Sequence, residues 1–223
     1  MLLAAIPTMK PGRVNSLLEQ ISKCSVKPDV VYVMNNSLQA VSLPNRKNFL
    51  DIQFQKNIGV NPAWNCALKT AKLNRSNLSI LNDDISIEED FFRKALETLE
   101  KFPTCGVVCP NTNSGAGWAP PGSRGARFAG MGKKEGWAFT IRAELIEKLP
   151  PIPIELRIFF GDDWIWHFTY INGYSWVKDL SSKITHAVGA SLRENPNIRK
   201  RLEYERNAYR ALLGTDSARE EPI

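Results

Sequence analysis

Apolar residues recur in two rhythms along this chain, and the switching between them predicts its elements. Leu2 to Ile6 is a short apolar run closed by Pro7, after which Val14, Leu17, Leu18 and Ile21 fall at helical spacing, so a strand leads into a helix. The β-branched run from Asp29 to Met34, closed by Asn35-Asn36-Ser37, and the alternation over Phe49 to Phe54 predict two more strands. Asn61-Pro62-Ala63-Trp64-Asn65 opens a helix through Ala71, with Pro62 near its first turn, and Leu78-Ser79-Ile80-Leu81 reads as a buried strand. Ile87-Glu88-Glu89-Asp90 then introduces a helix through Lys101, whose acidic start and basic end suit the helix dipole. Gly106 to Cys109 and Gly136 to Ile141 have strand character, and Arg142 to Leu149 reads as a short helix. A helix from Trp164 to Ile171 stops at Asn172-Gly173, and Val177 to His186 leads back to the sheet. Strands alternating with helices predict an α/β domain with a mostly parallel central sheet flanked by helices, whose ligands lie beyond the carboxyl ends of the strands.

Two segments fall outside this alternation. Pro110 to Gly136 is dense in Gly, Pro, Asn and Ser, too long for a simple connector, and carries Trp118, Phe128, Arg124, Arg127, Lys133 and Lys134, as a functional or mobile loop does. Ile198 to Leu213 predicts a basic C-terminal helix, so the chain divides into residues 1–192 as the main domain and 193–223 as a basic helix and tail.

Composition changes the picture little. At 223 residues, 43% hydrophobic and 23% charged, the chain is an ordinary globular protein with a sizeable core. No apolar run reaches the roughly 18 residues of a membrane span, and Met1 to Pro7 lacks the basic start of a secretory signal, so the expected location is cytoplasmic. Cys24, Cys66, Cys105 and Cys109 lack zinc-site spacing and are expected to be buried free thiols. The net charge of +6 favours a polyanionic partner, but Lys and Arg are spread along the chain.

The candidate chemistry lies in two adjacent-carboxylate pairs. Asp83 and Asp84 follow the strand ending at Leu81, and Asp162 and Asp163 open the helix beginning near Trp164. A carboxylate at a strand end can hold a divalent cation against a diphosphate, and a second carboxylate can take a proton from a nucleophile. Each pair taken alone also suits a turn or a helix cap.

The order of short motifs resembles glycosyltransferase family 2, the inverting GT-A fold enzymes, and in particular its rhamnosyltransferase-like branch. The pieces are Ile6-Pro7-Thr8, Asn57-Ile58-Gly59 with Ala63 and Asn65, Leu81-Asn82-Asp83-Asp84, Gly136-Trp137-Ala138-Phe139, Phe160-Gly161-Asp162-Asp163 with Gly173-Tyr174, and His186 with Gly189 and Ser191. They span about Leu2 to Ser191, and six pieces in one order are far harder to obtain by chance than any single motif.

The resemblance implies a single GT-A type domain that moves a sugar from a nucleoside diphosphate sugar to an acceptor hydroxyl. It implies Asp163 as the general base, with Asp162 standing where the family has Glu, and Asp84 and His186 as ligands of Mn2+ or Mg2+. The family's Asp-x-Asp is here Asn82-Asp83-Asp84, so the first acid is missing and Asp83 becomes a donor contact. Thr8, Asn35 and Asn57 fall where the family holds the nucleotide, and Arg193 would reach the diphosphate. His167 reads as structural.

Three other readings remain open. The basic, aromatic loop would suit a hydroxymethylated base in DNA as acceptor, against a soluble sugar or a lipid-linked sugar. A non-catalytic nucleic-acid-binding protein would use the helix from Ile198 to Leu213. A nucleotidyltransferase would also need metal and phosphates.

Overall fold

A computed structural model describes residues 1–112, 128–129, 136–186 and 197–214. Its strands are β1 (Leu2–Thr8), β2 (Val30–Asn35), β3 (Phe49–Gln53), β4 (Asn77–Leu81), β5 (Ile85–Ile87), β6 (Cys105–Thr112), β7 (Phe128–Ala129), β8 (Ala138–Ile141) and β9 (Ser175–His186). The helices are α1 (Pro11–Lys23), α2 (Val60–Leu73), α3 (Phe91–Lys101), α4 (Ala143–Ile146), α5 (Gly161–Ile171) and α6 (Asn197–Leu212).

All the strands join one sheet in the order β3-β2-β1-β4-β8-β6-β9-β5, with β7 also paired to β9. The half β3-β2-β1-β4 is parallel throughout. In the other half β8 lies antiparallel between β4 and β6, β9 runs parallel to β6, and β5 and β7 run against β9. Thus β1, β2, β3, β4, β6 and β9 share one direction, and only the short strands β5, β7 and β8 oppose it.

The central strand β1 is buried along its whole length because both of its faces are covered. Leu3 and Ala5 join a core cluster with Ala63, Trp64, Ala67 and Ala71 of α2, while Leu2, Ala4 and Ile6 join a second cluster with Val14, Leu17, Leu18 and Ile21 of α1. The side-chain period of two thus divides one apolar run between two helices. Beyond the sheet, Ala208 and Tyr209 of α6 pack against the first cluster.

Three sequence expectations are corrected. Ile87 belongs to β5, and Glu88, Glu89 and Asp90 precede α3, with Asp90 at its N-cap, so no acid occupies the first turn. Two of these acids are tied to side chains instead: Asp90 accepts hydrogen bonds from Arg93 and Ser25, which hold its carboxyl down at about 2, and Glu88 pairs with Lys94 at 2.7 Å. The cysteines are free thiols as expected, but Cys66 is exposed, because it lies on the outward side of α2. The helix read from Trp164 begins at Gly161, which places Asp162 and Asp163 inside its first turn. The basic loop residues Arg124, Arg127, Lys133 and Lys134 lie outside the described residues, or, like Phe128, have no described side chain.

Candidate active site

Both carboxylate pairs lie past strand ends or at a helix start, where backbone groups converge. At the end of β1, the buried Thr8 donates its hydroxyl to Asp83 Oδ2 at 2.6 Å and accepts the Lys10 backbone N–H at 3.0 Å. Burial pushes the Asp83 carboxyl above its ordinary range; the Thr8 hydrogen bond and the charges of Arg13 and Lys10 oppose the rise, and Asp84 adds to it. A carboxyl raised in the fold contributes stability that is complete below its ordinary value of 3.8 and is lost as pH rises through the folded value. Asp83→Asn keeps an acceptor for Thr8 and removes the charge. It is therefore expected to raise Tm at pH 7, with the gain over the parent shrinking to nothing as pH falls below 3.8; an equal gain at both pH values would contradict this account.

Asp84 meets His186 across the sheet edge. Strand β5 pairs with β9 so that Ile85 lies opposite His186, which brings Asp84 Oδ1 to 3.2 Å from His186 Nε2. Both side chains are mostly covered, at 15% and 10% exposure respectively. The imidazole stacks on Trp137 with centroids 4.7 Å apart, and the Trp137 indole N–H donates to Thr112 at 2.9 Å. His186 Nδ1 is buried and finds no hydrogen-bond partner among the described residues. The ring orientation is thus fixed by stacking and by the strand ladder.

Donors of Mg2+ or Mn2+ sit about 2.1 Å from the ion at right angles to their neighbours, which separates adjacent donors by roughly 3 Å. The Asp84–His186 spacing of 3.2 Å fits two neighbouring ligands of one such ion. Among the described residues no group of three His, Cys, Asp or Glu could hold a metal, so diphosphate and water would have to complete the shell, as is common for these cations.

The second pair is set by an unusual helix start. Phe160, the N-cap of α5, adopts a left-handed backbone at φ 60 and ψ 12 and supplies no side-chain cap. Asp162 and Asp163 follow in the first turn, where the helix dipole favours negative charge. Gly136 backs directly onto Asp162: a Cβ there would overlap the carboxylate. Gly161 is likewise pressed on Asn61, whose amide donates to the carbonyls of Leu156 at 2.8 Å and Phe159 at 2.9 Å. The Tyr209 hydroxyl donates to the Asp163 carbonyl at 3.3 Å, and burial with the nearby charges of Asp163 and Asp162 pushes that phenol up.

The turn entering β8 connects the two pairs. Gly136 touches Asp162, its neighbour Trp137 stacks on His186, and the Trp137 carbonyl accepts the Asn82 N–H at 2.8 Å. Gly136 and Trp137 belong to one of the motifs that carry the family resemblance, but nothing in the sequence shows that they bridge.

The remaining candidates lie along the rim of the parallel half. Asn35 is fully buried, and its amide binds the Gln39 carbonyl, the Asp51 carboxylate and the Ser37 N–H, holding the 36–41 loop. Its neighbour Asn36 bonds to Ile58 and Gly59. Asn57 is exposed and accepts the Gly59 N–H at 2.9 Å. Arg157 donates to the carbonyls of Asn57 and Ile58, a role for which the sequence offers no signal. His167 packs edge-on against Phe168. Arg193 lies outside the described residues.

No family model and no curated protein matches the chain. Solved structures do match. Residues 1–349 of S. aureus TarS align at a TM-score of 0.61 and 15% identity, covering 83% of this chain and 60% of that one. GalNAc-T7 with UDP, GalNAc and Mn2+ aligns at 0.65 and 13%, covering 83% and 43%. The mannosyltransferase PcManGT from Pyrobaculum calidifontis, in complex with GDP-Man and Mn2+, aligns at 0.62 and 17%, covering 85% and 57%. This chain therefore spans 60% or less of the length of each of these three. Such identities speak to architecture alone, and the architecture is the one the motif order implies: the chain has the GT-A fold.

Proposed function

We propose that this protein is a metal-dependent inverting glycosyltransferase using a nucleoside diphosphate sugar. The observation that carries the reading is the Gly136-Trp137 turn, which touches the Asp162 carboxylate on one side and the Asp84-bonded His186 ring on the other. On this reading the metal would lie on the His186 side of the turn and the base on the Asp162–Asp163 side, the opposed arrangement that in-line displacement requires.

Asp84 and His186 would hold Mn2+ or Mg2+, which would neutralise charge on the departing diphosphate. Asp83 and Asn57 would contact the donor at the strand ends, with Thr8 holding Asp83 and Asn35 holding the adjoining loop, and Arg193 belongs to the same reading. Asp163 takes the acceptor hydroxyl proton as the new bond forms to the anomeric carbon and the bond to the diphosphate oxygen breaks, so the sugar inverts. Support comes from the neighbours, since TarS has been solved with UDP-GlcNAc and PcManGT with GDP-Man and Mn2+. The acceptor is a hydroxyl on a sugar, a lipid-linked sugar or a modified DNA base, with a cytoplasmic site of action. No helix among the described residues is long and apolar enough to cross a membrane.

The test is a thermal-shift panel of nucleoside diphosphates and their sugars, with and without Mn2+. A ligand at a hundredfold its Kd stabilises by about 2.7 kcal/mol, or roughly 5 to 10 °C for a chain of this size. A shift confined to one nucleotide and dependent on metal is expected. A folded sample that responds to none of them would sink the proposal and favour the nucleic-acid-binding reading.

A further inference from the structure

Residues 156–160 form the approach to the Asp162–Asp163 pair, and they are gripped from two sides. On the sheet side Asn61 takes the carbonyls of Leu156 and Phe159, and the Arg157 guanidinium binds the carbonyls of Asn57 and Ile58 on the donor rim. On the other side stands Glu205 of α6, a carboxylate with 0% exposure. It accepts the Ile158 N–H at 3.0 Å and the Phe159 N–H at 2.7 Å, and it also pairs with the Arg201 guanidinium one turn back on the same helix. Successive backbone N–H groups make an anion-binding concavity, and here the anion is supplied by the chain itself.

The next residue carries the strain. Phe160 sits in the left-handed region, which costs a bulky side chain on the order of 1 kcal/mol and persists only where the surroundings over-determine it. Its ring stacks on Tyr209, one turn beyond Glu205 on α6, with centroids 5.3 Å apart, and the Tyr209 hydroxyl reaches the Asp163 carbonyl. Helix α6 therefore touches the segment before the pair, the strained residue at its start, and the backbone of Asp163.

We infer that Glu205 is a positioning residue for Asp163: by binding the Ile158 and Phe159 N–H groups it fixes the left-handed turn at Phe160 and so sets where α5 presents its carboxylate to the acceptor. This rests on Asp163 being the general base. Nothing on α6 meets Asp84 or His186 through the contacts described, and Arg157 is tied to the donor rim by its own guanidinium, so the larger effect falls on proton removal. A misplacement of about 1 Å can cost about 100-fold in rate.

Glu205→Gln tests this, because the amide keeps the shape but replaces one acceptor oxygen with a donor facing donors. The variant should lose at least about tenfold in kcat, with the donor KM and the metal-dependent nucleotide shift within twofold of the parent. Hydrogen exchange should quicken in a peptide covering 157–164 and stay unchanged in β1. If Glu205→Gln does not fold, Glu205→Asp, which keeps the charge one methylene short, is read the same way. A kcat within twofold of the parent, a parallel loss of donor binding, or exchange that quickens equally in β1 would each overturn the inference. Should the parent transfer no sugar at all, the proposed function fails by itself, and the exchange comparison alone decides whether Glu205 holds the turn.

Discussion

Asp163→Asn is expected to lower kcat by about 100- to 10,000-fold, the range a positioned general base contributes, with metal-dependent donor binding unchanged. Asparagine has the same shape, and the Asp163 contact to Tyr209 is made by the backbone carbonyl, which the substitution leaves in place. That backbone contact is therefore expected to survive, while the proton acceptor disappears. Steady-state rates with saturating donor, alongside nucleotide binding with Mn2+, make the comparison. A parallel fall in binding would assign Asp163 to the donor pocket and remove it from proton transfer, since a base acts on the transition state more than on the bound donor.

Asp84→Ala should show the opposite division. Groups that merely support a metal ligand cost 10- to 100-fold in metal affinity when removed, so loss of a direct ligand should weaken Mn2+ binding by about 100-fold or more. The fold should survive, because the ladder between β5 and β9 is made by the backbone from Ile85 to Ile87 and does not depend on the Asp84 carboxylate. Titrating Mn2+ into the nucleotide-bound protein and following the thermal transition reads the change directly. Unchanged manganese dependence would show that the metal sits elsewhere, and the 3.2 Å contact with His186 would then be a plain hydrogen bond closing the sheet edge.

The two substitutions also mark what the sequence could reveal. Long elements were legible because their periodicity is strong: β1 and α1 divide the same apolar set between two faces, and α2 advertises itself through Ala63, Ala67 and Ala71. Strand β5 was not legible, since three residues carry too little pattern, yet it is the element that delivers Asp84 to His186. The acids before α3 looked like dipole partners because their number was visible and their hydrogen bonds were not. Asn35 closes β2, as the β-branched run before it implies, but no sequence pattern reveals that its amide holds the neighbouring loop. Glu205 escaped notice for a related reason. An acid in a helix crowded with Arg and Lys reads as solvent-facing, and only the fold shows that its oxygens meet backbone N–H groups as well as Arg201.

The close contact at Gly136 bears on how other chains built on this plan are recognised. An added methyl group there would meet a carboxylate held in the first turn of a helix, so the position favours glycine whatever sugar or acceptor is used. The Asn82-Asp83-Asp84 triplet carries no such steric limit: it has already lost one acid relative to the pattern it resembles, and diphosphate and water can make up a missing ligand. A search that requires glycine and then an aromatic residue ahead of the antiparallel middle strand should therefore retrieve chains that a search keyed on the acidic triplet passes over.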